Sequence, residues 1–232
     1  MVIHDRTLER TTHGSGLVCE HSAEALRSTM LRDSDEGVPT LDAALDVFEP
    51  VATEVFIEIK TDALGRLYPG LERRILDMIE MARIAHGLSE AEMRGRPIVY
   101  ANINANSPLQ YDRPMLWGMI EMAARGQPVI VTPFTLAGAM APVTIVGALA
   151  QQNAEALAGI AFLQMVRPGA PAIYGAFTSN VDLRSGAPAF GTPEQAQAAI
   201  IIGQLIRRYR LPYRSSNVNA ANAPDAQAAY ES

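Results

Sequence analysis

Val129-Ile130-Val131-Thr132-Pro133-Phe134 is a short run rich in strand-forming residues, and Ala172-Ile173-Tyr174-Gly175-Ala176-Phe177 is a second. Residues 142–165, between them, carry a helical pattern. A strand, a long crossover helix and another strand make a unit whose strands run parallel. The same alternation extends in both directions. Residues 98–104 and 211–214 predict further strands, and residues 116–124 and 193–209 predict helices. Upstream, residues 2–4 and 55–60 read as strands and residues 40–47 and 71–86 as helices. The expected class is α/β, a partial (β/α) barrel of about six βα units, short of the eight of a closed barrel.

Local signals support these boundaries. Thr192-Pro193-Glu194 has a threonine cap, a proline at the first helical position and an acid facing the positive helix end. Ser89 and Glu92 have capping-box spacing, and Gly87 stands where a helix C-terminus favours glycine.

The chain has 232 residues, 48% of them hydrophobic, which suits a folded protein with a substantial core. Its one cysteine, Cys19, precludes an internal disulfide and permits a reducing compartment. No signal-peptide pattern and no apolar run approaching the roughly 20 residues of a membrane helix is seen, so a cytoplasmic location is expected. One lysine, Lys60, stands against 18 arginines, and no basic stripe interleaves with aromatics, so nucleic acid is not an expected partner.

Charge and motif both divide the chain. Residues 1–75 hold 14 acids and 8 bases, whereas residues 76–232 hold 11 of each. The expected organisation is therefore two pieces, 1–75 and 76–232, with a seam inside the helix predicted at 71–86 and the two packed as one α/β unit or apart.

The first piece carries His4-Asp5, Arg6-Thr7-Leu8-Glu9-Arg10-Thr11-Thr12, Gly37-Val38-Pro39-Thr40-Leu41, Ile57-Glu58-Ile59-Lys60 and Tyr68-Pro69-Gly70. In that order these motifs resemble the glycerophosphodiester phosphodiesterase family. The resemblance implies a (β/α)₈ barrel in which His4 is an acid/base residue, Glu58 a divalent-metal ligand and Lys60 a phosphate contact. Phosphodiester hydrolysis needs such charge neutralisation and a proton donor for the leaving alkoxide.

The second piece carries Asn102-Ile103-Asn104-Ala105-Asn106-Ser107-Pro108-Leu109, Pro133-Phe134-Thr135-Leu136-Ala137-Gly138-Ala139-Met140, Gln152-Asn153-Ala154-Glu155-Ala156-Leu157-Ala158-Gly159 and Gly186-Ala187-Pro188-Ala189-Phe190-Gly191-Thr192. This set resembles the trimethylamine methyltransferase family. The resemblance implies methyl transfer from a tertiary or quaternary amine to a corrinoid protein, with cobalamin carried by that partner and no cofactor held tightly by this chain. It also implies the branch without pyrrolysine, because the corresponding position falls at or next to Val218, and so a glycine betaine-like substrate.

A quaternary ammonium needs aromatic or carboxylate surroundings. Phe134, Tyr174, Phe177 and Phe190 are candidates for the first, and Asp182 and Glu194 for the second. Asn104 and Asn217 join them as polar residues at predicted strand ends. Glu194 also fits a helix start, and Glu155 also reads as a buried structural partner. The competing expectations are a metal-dependent phosphodiesterase acting through His4 and Glu58, and a fusion without native activity. A partial barrel leaves strand edges unpaired, so self-association through those edges is a further expectation.

Overall fold

The computed structural model describes residues 1–48, 71–216, 226 and 229. The strand expected at 55–60, with Glu58 and Lys60, lies outside the described residues, as does Asn217. Contacts divide the chain into Met1–Met78 and Ile79–Ser232.

In the first unit, Leu8, Val18, Leu26 and Val38 form a small core with Met1, Ile3 and Leu31 packed against it. A 3-10 turn at Val18–Glu20 precedes helix α1 (Ala23–Ser28), which Ser22 caps by accepting the Ala25 N–H at 3.1 Å. Isolated antiparallel bridges, Thr7 to Leu17, Thr12 to Leu31 and Met30 to Gly37, fold the segment back on itself. Helix α2 (Leu41–Phe48) starts at Thr40, whose hydroxyl accepts the Ala43 N–H at 3.1 Å. Residues 2–4 do not form the expected strand. Their β-branched character finds no parallel neighbour; the Val2 N–H reaches the Pro39 carbonyl at 2.9 Å instead.

Helix α3 (Leu71–Ala85) ends at Gly87, where the Gly87 N–H bonds the Ile84 carbonyl and the Leu88 N–H bonds the Arg83 carbonyl. Helix α4 (Glu90–Gly95) carries the capping box expected from Ser89 and Glu92.

The second unit is built on a four-stranded parallel sheet. Its strands are β1 (Ala101–Ile103), β2 (Val129–Val131), β4 (Ala172–Gly175) and β7 (Tyr213–Arg214), and they lie side by side in chain order. Helix α5 (Arg113–Ala124) joins β1 to β2, α6 (Ile145–Val166) leads to β4, and α7 (Pro193–Tyr209) leads to β7. Strict sequential order is that of successive βα units of a barrel, whereas a doubly wound sheet reverses direction at a switch point. No closed barrel forms among the described residues; of the six strands expected, four make this sheet, and that at 55–60 lies outside the described residues.

A second sheet continues the first. Strand β3 (Phe134–Ala137) pairs in parallel with β5 (Phe177–Val181), which turns back into the short antiparallel β6 (Pro188–Ala189). Val129 faces Ala172, Val131 faces Tyr174 and Phe134 faces Phe177, so one register runs through both sheets. The interruption falls at Thr132-Pro133, where proline supplies no N–H to the ladder.

Helix α6 buries Ala148, Leu149, Gln152, Glu155, Ala156, Gly159, Ile160 and Leu163, a stripe at three- and four-residue spacing. Gly159 lets the helix approach closely. A Cβ there would stand 2.6 Å from the Tyr111 hydroxyl and 2.7 Å from Val131 Cγ1. Beneath the sheet, the fully buried Gln127 accepts the Ile98 and Val99 N–H groups and donates to the Met93 and Arg125 carbonyls. That single amide fixes the entries to β1 and β2 together. Among the described residues no helix is long and apolar enough to cross a membrane.

Candidate functional site

Alternation along the strands assigns two faces to the parallel sheet. Ile103 meets α5 beneath Gly118, Val131 meets α6 beneath Gly159, and Tyr213 meets α7, its hydroxyl donating to the Ala199 carbonyl at 3.2 Å. These residues define the helix face. Asn102, Thr132, Gly175 and Arg214 therefore belong to the other, inner face. The Thr132 hydroxyl donates to Asn102 Oδ1 at 2.7 Å across β1 and β2. Gly175 leaves room for it: a Cβ at 175 would stand 1.9 Å from Thr132 Oγ1.

Two residues further along the same ladder, the inner face becomes aromatic. The Phe134 and Phe177 rings stack with centroids 4.8 Å apart and planes 14° apart. Phe190, following β6, meets Phe177 edge-on at 5.5 Å and 75°. Ala176, Phe177 and Thr178 also line a small cavity of about 10 Å³ against Gln195, Ala198 and Ile202 of α7. Phe190 is held by its neighbours: the Ser179 hydroxyl donates to the Ala189 carbonyl, and the Gly191 N–H donates to Gln195 Oε1 at 2.6 Å. Thr192 caps α7 and also donates to Asn180 Oδ1 at 2.7 Å, tying the helix start to β5.

The loop after β1 is fixed by Glu155 of α6. Its carboxylate, 2% exposed, accepts the Ser107 hydroxyl at 2.6 Å, the Leu109 N–H at 2.7 Å and Gln151 Nε2 at 3.0 Å. The Tyr111 hydroxyl donates to the Glu155 carbonyl at 2.8 Å, and burial with the nearby carboxylate pushes that phenol above its ordinary range. Asp112 completes the loop by accepting the Met115 N–H as the cap of α5 and by pairing with Asn106.

The structure thus brings Phe134, Phe177 and Phe190 together. Tyr174, grouped with the phenylalanines on sequence, stands on the helix face. Its hydroxyl is buried, accepts from Gln152 Nε2 at 3.2 Å and donates to Asn153 Oδ1 at 3.0 Å. Burial pushes that phenol well up. Asp182 is exposed in the β5–β6 turn, where it accepts the Arg184 N–H and the Ser185 hydroxyl; these bonds lower its pKa. Glu194 is exposed in the first turn of α7. Asn104 is exposed just beyond β1, with the same alternation as Asn102. In the first unit, His4 Nδ1 lies 2.8 Å from Asp5 Oδ1, and Arg10 holds the Asp5 carboxyl well below the usual carboxylate range. Among the described residues no group of three or more His, Cys, Asp or Glu side chains is placed to hold a metal ion.

The family model for trimethylamine methyltransferase matches residues 61–232. The chain belongs to the trimethylamine methyltransferase family. A glycine betaine methyltransferase of Desulfitobacterium hafniense (strain Y51) is 39% identical over 162 residues, 69% of this chain and 34% of that protein. A proline betaine:corrinoid methyltransferase of Eubacterium limosum is 35% identical over 138 residues, covering 59% of this chain and 28% of the relative. A trimethylamine methyltransferase of Methanosarcina barkeri (strain Fusaro / DSM 804) is 33% identical over 153 residues, 66% of this chain and 31% of the relative. The chain therefore spans about a third of the length of these relatives. The family match begins at residue 61 and does not reach the motifs of residues 4–41.

Two inner-face residues escaped the sequence reading, Asn102 and Arg214. The signal for Asn102 was its spacing of two from Asn104. For Arg214 it was the strand assignment at 211–214, once Tyr213 is known to face α7.

Proposed function

We propose that this chain supplies the amine-binding part of a corrinoid-dependent methyltransferase. The substrate on this reading is a quaternary amine of the glycine betaine type. The methyl group leaves the quaternary nitrogen, which departs as a tertiary amine, and passes to the corrinoid of a partner protein. The observation that carries the reading is the Phe134–Phe177–Phe190 cluster on the inner face beyond the strand ends. Aromatic ring faces attract a methylated ammonium and leave its methyl groups uncoordinated. The partial (β/α) barrel belongs to the same proposal, supported by the sequential order of β1, β2, β4 and β7.

The corrinoid supplies the methyl acceptor. This chain's own residues hold the ammonium, exclude water around it and leave one methyl group facing the mouth. Asn104 is proposed as a polar contact near that mouth, Asn217 as a further substrate contact, and Asp182 and Glu194 as rim charges. The hydrolase alternative draws no support from the comparisons.

The test is methylation of a reduced corrinoid protein by glycine betaine in the presence of this protein. The expected result is betaine-dependent conversion of the corrinoid spectrum to that of the methylated form. Well-folded protein that gives no such conversion and binds no betaine overturns the reading.

A further inference from the structure

The register carries one charge to the edge of the aromatic cluster. Arg214 pairs with Gly175 across β4 and β7, and the Ala176 N–H donates to the Arg214 carbonyl at 3.1 Å. Residues paired in a parallel ladder project from the same face. Gly175 faces Thr132 and Ile130 on the inner face, and Tyr213 turns the opposite way, into α7. Arg214 therefore rises from the inner face, one strand over from Gly175 and two residues short of Phe177. Strand rise and strand spacing put its Cα about 8 Å from that of Phe177. An arginine side chain and a small zwitterion together bridge that distance.

Arg214 is exposed and has no side-chain partner among the described residues. Neither candidate carboxylate is hydrogen-bonded to it: Asp182 accepts from Arg184 and Ser185 of its own turn, and Glu194 lies in the first turn of α7. Gly175 adds no side chain between the guanidinium and Thr132, and the Thr132 side chain, not a charged group, fills the space above it.

We infer that Arg214 is a carboxylate-binding residue, and that the site selects zwitterionic betaines over methylated amines that lack an acid group. The inference rests on the proposed amine site. The three phenylalanines hold the ammonium end, and the guanidinium fork donates to the carboxylate in a charge-assisted pair. Neither part recognises a betaine fully alone, so the preference for the anion belongs to Arg214 specifically.

The experiment measures binding of glycine betaine and of tetramethylammonium to the wild-type chain, Arg214→Met and Arg214→Lys. Wild type is expected to bind glycine betaine about tenfold more tightly than tetramethylammonium. Arg214→Met abolishes that preference by weakening glycine betaine binding, while tetramethylammonium, relieved of a nearby like charge, binds no more weakly than to wild type; Arg214→Lys retains part of the preference. An unchanged preference in Arg214→Met overturns the role of Arg214 and leaves the aromatic site standing. Failure of folded wild-type protein to bind either cation overturns the aromatic site, and this inference with it. Thermal melts of the three proteins establish that each is folded.

Discussion

Phe134 and Phe177 stack at 4.8 Å because they are register partners of one parallel ladder, β3 beside β5. The stack is a consequence of topology. The register that pairs Val131 with Tyr174 inside the sheet carries on past Pro133 and pairs the two phenylalanines beyond it. The β5–β6 turn then brings Phe190 edge-on to the pair. A βαβ unit has thereby placed two of the three rings, and the β5–β6 turn the third.

Glu155 should be a strong determinant of stability. Its carboxylate receives three donors, from Ser107, Leu109 and Gln151, and no cation is among them. Glu155→Ala strands the Leu109 N–H and the Ser107 hydroxyl and should cost about 3 kcal/mol. Glu155→Gln keeps one acceptor oxygen and should cost about half as much. Urea denaturation measures both; midpoints equal to wild type would remove Glu155 from this role.

Gly175 should not tolerate a side chain. Its Cβ would meet Thr132 Oγ1 at 1.9 Å and Thr132 Cβ at 2.8 Å, at the end of two paired strands. Gly175→Ala is expected to destabilise by about 1–3 kcal/mol, the usual cost of overpacking. Thr132→Ala removes the closer atom and should recover part of the loss in the double variant. Purely additive effects in that double-mutant cycle would show that the two sites do not touch.

The capping box of α4 gives a pH dependence. Glu92 has its pKa lowered from 4.5, chiefly by the Ser89 hydroxyl and then by the Ser89 N–H. A carboxylate with a depressed folded pKa stabilises fully above its unfolded value and stops doing so as pH falls through the folded one. The stability difference between wild type and Glu92→Ala should therefore be constant above pH 4.5 and shrink below it. Denaturation curves at neutral and acid pH measure this, and a difference that grows on acidification is the opposite of the expectation.

Much of the second unit was legible in the chain. The helix starts at Thr192 and Ser89 were read from side chains that bond their own first turn, a purely local signal. The parallel order followed from strands separated by long helices. The division of each long strand in two was not legible in full. Pro133 signals one break, but the second, at Ala176, follows from the first only when the pairing of β2 with β4 is known. Face assignment was harder still. Residues 172–177 run almost without polar alternation, as strands covered on both sides do, so the odd spacing of Tyr174 and Phe177 puts them on opposite faces but nothing local says which face meets a helix. The structure separates them by which one meets α6. Residues 2–4 misled in the opposite sense: three residues of strand composition form no strand without a neighbour to pair with.

The central claim is that a methylated ammonium sits against the Phe134 and Phe177 rings. Saturation-transfer NMR on the methyl protons of glycine betaine tests it most directly. Irradiating the aromatic protons of the wild-type protein should transfer saturation to those methyl groups, and Phe134→Leu with Phe177→Leu should abolish the transfer while the protein stays folded. Equal transfer in wild type and the double variant, or none in either, would contradict the account.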